Sequence, residues 1–182
     1  MRFVLTLVLL SGCGYDSNTY KTLKPGYVQI CGVYVYGTES FAVDDDMFCA
    51  VLDTTNTLIR DHGYSIKLRT LAAQKYLVVE FSTEPRPVLS DGRIVRGMYS
   101  NRYITIYPEV EGNNFGLCME MYYVFGHELL HFVAEESLGG RFAGLNHDIP
   151  ELFVTTVDEN DHSVELGMYL YTYSMCREAF RY

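Results

Sequence analysis

Basic side chains are scarce in this chain: Lys and Arg number 14 against 23 Asp and Glu, a net charge of −9 over 182 residues. An acidic chain without a cluster of Lys or Arg repels phosphate, which removes nucleic acid as a partner. Proline is also rare, at 5 residues, and no repeat or low-complexity block occurs, so collagen-like and largely disordered chains are excluded. Tryptophan is absent, although Tyr numbers 16 and Phe 10. The longest apolar run falls well short of the ~18 residues a helix needs to cross a bilayer, which excludes a permanent transmembrane span. What is present is 48% hydrophobic residues in a chain of one-domain size, enough to bury a core.

Residues 1–13 read MRFVLTLVLLSGC, with one positive charge at Arg2, an apolar run from position 3 to 10, and small residues before Cys13. That order is the layout of a secretory signal. The ending Leu10-Ser11-Gly12-Cys13 resembles the lipobox of bacterial lipoproteins. The resemblance implies cleavage before Cys13, lipid on that cysteine as a membrane anchor, and sorting to the outer membrane in a Gram-negative host, since Gly14 rather than Asp follows. Residues 1–12 are then a lipoprotein signal peptide, 13–25 a polar tether and 26–182 the folded domain. Four cysteines remain in that domain, Cys31, Cys49, Cys118 and Cys176. An even number in an oxidising compartment predicts two disulfides, with three pairings open. No two of the four are close enough in sequence for a CxxC metal knuckle.

Residues 27–36 are β-branched and aromatic and read as a strand, and residues 64–70 and 76–82 alternate like strands. Residues 93–97 and 102–107 read as a hairpin around Ser100-Asn101. Asp44-Asp45-Asp46 offers a helix cap, followed by an apolar stripe at helical spacing up to His62-Gly63. Three acids at a helix start favour the positive end of the macrodipole and lack the alternating oxygen spacing of a calcium loop. The strongest helical pattern covers residues 117–137, stopped by Gly139-Gly140; a second starts near Pro150 and a third covers 164–180. Strands first and helices last predict an α+β domain.

The strongest helix carries His127-Glu128-Leu129-Leu130-His131. Positions i and i+4 of a helix share a face, so both imidazoles can point at one ion, and two neutral imidazoles supply half of a tetrahedral zinc site. Glu128 sits beside the pair, where a carboxylate can take a proton from metal-bound water. Met121, Phe125, Leu129 and Phe132 give the same helix an apolar face suited to packing on a sheet. The stretch VFGHELLHFV resembles the HExxH motif of the zincin metallopeptidases, with uncharged flanks, over roughly residues 104–154. That resemblance implies a zincin-like fold, a small twisted mixed or mostly antiparallel sheet on the HExxH helix with further helices after it. It also implies bound zinc, peptide-bond hydrolysis, and an edge strand that pairs with the substrate backbone. Residues 103–107 are the matching strand by their alternation.

The third zinc ligand is open among three residues beyond Gly139-Gly140: His147, Glu151 and Asp148. The metzincin continuation HxxGxxH is absent, because Ala134 and Ser137 occupy its Gly and His positions. Thermolysin-like gluzincins take a Glu from the next helix, which would correspond to Glu151, whereas SprT-like zincins use a His before a Pro-x-Phe-type segment, which matches His147 before Pro150. Asp148 and Glu151 have the spacing of a capping box, which would leave His147 free for the metal and makes it the narrow favourite. His162 lies in an acidic loop and reads as solvated rather than as an oxyanion stabiliser, and His62 reads as a cation at a helix C-terminus. Glu135 and Glu136 read as outward-facing or supporting groups.

Taken together, these features predict a lipid-anchored, extracytoplasmic zinc metallopeptidase of the bacterial envelope, with His127, His131 and His147 on zinc, Glu128 as the base and a peptide or protein substrate. A non-catalytic zincin-like binding or structural lipoprotein would need the histidines but not Glu128. A zinc amidase acting on cell-wall peptides would use the same chemistry on a different amide.

Overall fold

The computed structural model describes residues 26–109, 113–137, 149, 152–153 and 162–180. The signal segment, the tether with Cys13, the helix expected near Pro150, and His147, Asp148 and Glu151 lie outside the described residues. Within them the domain is α+β, a five-stranded mixed sheet with five helices. The strands are β1 (Val28–Ile30), β2 (Val33–Tyr36), β3 (Val78–Phe81), β4 (Gly97–Ser100) and β5 (Tyr103–Ile106). The helices are α1 (Thr38–Phe41), α2 (Asp45–Asp61), α3 (Leu68–Gln74), α4 (Asn114–Ser137) and α5 (Val164–Phe180).

The strand order is β1-β2-β3-β5-β4, with β2, β3 and β5 parallel and an antiparallel strand at each end. Alternation decides which face each residue takes. Val33, Val35, Val79, Phe81, Ile104 and Ile106 point into the main core, whereas Tyr36, Val78 and Tyr103 form a small cluster on the opposite face. Helices α2, α4 and α5 pack together, and α4 lies against β4 and β5. Phe48 of α2 stacks on Phe125 of α4 with ring centroids 4.3 Å apart. α4 is buried along almost its whole middle, from Met121 to Ala134 with one partly exposed position, so it is a central helix rather than one with a single wet face.

Two disulfides close the structure: Cys31–Cys49 ties the β1–β2 turn to α2, and Cys118–Cys176 joins α4 to α5. The two expected bridges are thus present, and their pairing is settled.

Three local expectations are corrected. The stretch 27–36 is a hairpin, not one strand, because Cys31 and Gly32 take positive φ of 50° and 86° and reverse the chain there. Residues 64–70 are not a strand; α3 begins at Leu68, whose backbone N–H donates to Asn56 Oδ1 of α2 at 2.7 Å. A cap supplied by a distant side chain thus outweighs the local alternation. Finally, β5 is not the edge strand: it lies between β3 and β4, and β4 forms the edge.

The first arm of the expected hairpin covers Gly97–Ser100 rather than residues 93–97, while the two ends of α2 fall where expected. Asp44 caps α2, its side chain accepting from the Met47 N–H at 2.8 Å. His62 is the C-terminal cap residue of α2, with Nδ1 2.8 Å from the Leu58 carbonyl and Nε2 2.6 Å from that of His162. Glu136, at the end of α4, is held by Lys75 at 2.6 Å and by Arg102 from the β4–β5 turn. Burial acts to raise the Glu136 carboxyl, but hydrogen bonds and charge from Lys75 and Arg102 outweigh it and hold the group below its ordinary range. A carboxylate held down in the folded state stabilises above its unfolded value and ceases to do so as pH falls through the folded one. The urea midpoints of wild type and Glu136→Gln should therefore differ at neutral pH and converge below about pH 4.

Candidate functional site

The site stands on α4. His127, Glu128 and His131 are all buried, exposed by 2%, 1% and 3%. One helical turn sets the two imidazoles side by side, with ring centroids 5.1 Å apart. The Phe153 ring packs on both, at 5.6 Å from His127 and 4.8 Å from His131. Phe153 is held by its own N–H, which donates to the Ile149 carbonyl at 2.9 Å. Phe153 therefore stands directly beside the histidine pair.

Helix α5 supplies a group that the sequence reading missed. Glu165 is buried at its first turn, where Ser163 Oγ accepts from the Leu166 N–H at 3.3 Å as a cap. Its Oε1 lies 2.8 Å from His127 Nδ1 and accepts from the Tyr123 hydroxyl at 2.9 Å. A carboxylate can only accept, so the imidazole donates through Nδ1–H and its Nε2 is directed away from Glu165. The start of a helix favours negative charge, which suits Glu165 to that role. Burial first, and then the Glu165 charge and hydrogen bond, push the Tyr123 hydroxyl far above its ordinary value, so it remains a neutral donor. Tyr123 itself lies one turn before His127 on α4. The only local hint of Glu165 is its place two residues after a capping serine; its proximity to His127 is a product of helix packing.

Glycines let the neighbouring elements close in. A Cβ on Gly97 of β4 would stand 2.6 Å from Glu128 Oε1 and 2.5 Å from Val124 Cγ1. Glu128 thus packs against the backbone of the edge strand through a gap that only glycine leaves. A Cβ on Gly126 would meet the Met168 Cε of α5 at 2.1 Å, so the residue before His127 is where α4 and α5 approach closely. Gly97→Ala should force Val124 and Glu128 to shift and lower the urea midpoint of the protein. Urea unfolding would check this, and an unchanged midpoint would show that the gap is not as tight as the geometry implies.

The donors fit zinc as far as they are described. Two imidazoles on one helix face, one of them oriented through its other nitrogen by a carboxylate, are the arrangement that a zinc ligand pair takes. Among the described residues, no three His, Cys, Asp or Glu side chains form a metal-ligand group. His127, Glu128 and His131 are therefore brought together, while His147, Glu151 and Asp148 lie outside the described residues, as does Cys13. His162 is exposed and precedes α5, its carbonyl engaged by His62. Glu135 faces the Tyr99 hydroxyl of β4, where burial and the Glu135 hydrogen bond raise the phenol above its ordinary range. No protein-family model, no curated protein and no solved structure matches this chain.

Proposed function

We propose that this chain is a zinc-dependent peptidase with a zincin-like fold, held by lipid on Cys13 in the bacterial cell envelope, outside the cytoplasm. The observation that carries the reading is the HExxH helix itself: His127 and His131 side by side, Glu128 against an edge strand, and a carboxylate on the first histidine. His127 and His131 would hold the metal, with His147 as third ligand and Glu151 as its alternative. Bound zinc supplies a Lewis acid that acidifies a water and polarises a carbonyl. Glu128 accepts the proton of the attacking water and delivers it to the leaving amine. Strand β4 pairs only with β5 among the described strands, and an extended peptide would lie along its other side.

Two disulfides support an oxidising compartment. No described helix is long and apolar enough to cross a membrane, so attachment in this reading rests on the lipid. Zinc content and peptide hydrolysis measured on the full chain in detergent test the proposal. One zinc per chain, lost in His127→Ala, together with hydrolysis of an unfolded protein substrate, is the expected result. A folded chain that takes up no zinc when it is supplied would overturn it.

A further inference from the structure

We propose that Glu165, held by Tyr123, is the positioning residue of the site: it fixes His127 as the Nδ1–H tautomer and so leaves Nε2 as the metal donor. The inference rests on the zinc reading above and assigns a role within it to residues of another helix.

The geometry is specific. Glu165 Oε1 takes two hydrogen bonds, from His127 Nδ1 at 2.8 Å and from the Tyr123 hydroxyl at 2.9 Å. All three side chains are largely or fully buried, so water competes poorly for these bonds. The carboxylate is fixed on its own side: the Glu165 backbone N–H donates to Leu152 O at 2.9 Å, which also ties α5 to the segment bearing Phe153. Tyr123 is braced in turn by Tyr169 of α5, edge to face with centroids 5.4 Å apart. The Cys118–Cys176 bridge also ties α4 to α5, further along the helix pair.

A free imidazole divides its proton between two nitrogens, and only the form with a bare Nε2 presents a lone pair on the side opposite Glu165. A carboxylate on Nδ1 selects that form before metal arrives and raises the donor strength of Nε2. Glu165 itself is thereby engaged on the far side of the ring from the metal donor, so it acts through His127 and is not counted as a ligand.

The test combines zinc affinity with the ring nitrogen signals of His127. Both are measured on the full chain in detergent with its disulfides intact. A Gln at 165 still offers a carbonyl oxygen to Nδ1–H and to the Tyr123 hydroxyl, whereas a Leu offers none. Glu165→Leu should weaken zinc binding about 10- to 100-fold, Glu165→Gln should stay within a few-fold of wild type, and Tyr123→Phe should lose about threefold to tenfold. In the metal-free protein at pH 8, nitrogen NMR should report Nδ1–H at His127 in wild type and in Glu165→Gln, and a shift toward Nε2–H in Glu165→Leu.

Equal zinc affinity in all variants, or an unchanged tautomer in Glu165→Leu, would overturn the proposal. Zinc loss in Glu165→Gln as deep as in Glu165→Leu would also overturn it, by making Glu165 a ligand. Should Glu165→Leu fail to fold, Tyr123→Phe against wild type carries the comparison, and an unchanged zinc affinity there overturns the proposal. The tautomer is read without zinc: a wild type that binds none sinks the functional reading, while the nitrogen signals still decide whether Glu165 orients His127.

Discussion

Replacing Glu128 by Gln should lower peptide hydrolysis by about a thousandfold while zinc content stays at the wild-type level. The two side chains are nearly the same size, so Gln fills the space between Gly97 and Val124 without forcing β4 away. It differs from Glu in one property: the amide takes no proton near neutral pH. A group that only packs α4 against the sheet would tolerate the exchange, and a group that accepts a proton from water would not. Activity in Glu128→Gln equal to wild type would remove the carboxylate from the mechanism and leave the non-catalytic reading. Measuring zinc in the same preparation separates loss of chemistry from loss of metal.

The second large effect concerns stability. Converting Cys118 and Cys176 together to Ala should cost about 4 kcal/mol, and converting Cys31 and Cys49 about 3 kcal/mol, because the longer loop loses more chain entropy in the unfolded state. The loops close over 58 and 18 residues. Cys118 and Cys176 are both buried between α4 and α5, so Ala leaves no stranded polar atom. Urea unfolding of the two double variants would check the order. A smaller loss for the α4–α5 bridge than for the turn bridge would show that chain entropy does not dominate here. The α4–α5 variant should also bind zinc more weakly, because the covalent tie between the helices that carry His127 and Glu165 is then lost.

What could be read in advance follows the range of the interactions. α2 was legible because its cap, stripe and end lie within a few residues of one another, from Asp44 to His62. The pairing of His127 with His131 was legible for the same reason, since four residues of helix set their spacing. α3 was missed because Asn56, twelve residues away, caps it. The edge strand was assigned to the wrong arm of the β4–β5 hairpin because alternation within an arm does not show which arm a third strand covers. Which arm is covered depends on β3, whose Val78–Phe81 pairs with Tyr103–Ile106. The same limit applies inside the site. Gly97 and Glu165 reach Glu128 and His127 only through sheet and helix packing, and neither is marked as functional by its own neighbours in the chain.

The α4–α5 bridge also sets how the molecule responds to being cut. His127, Glu128, His131, His147, Glu151 and Glu165 all lie between Cys118 and Cys176, inside one covalent ring. A single backbone break anywhere in that ring opens it without releasing a fragment. Proteolytic clips within 119–175 are therefore retained rather than shed. The clipped molecule would run as one band on a non-reducing gel and as two after reduction. Every residue assigned to the metal, the base and the orienting carboxylate would remain on the same covalent body, anchored wherever Cys13 is anchored.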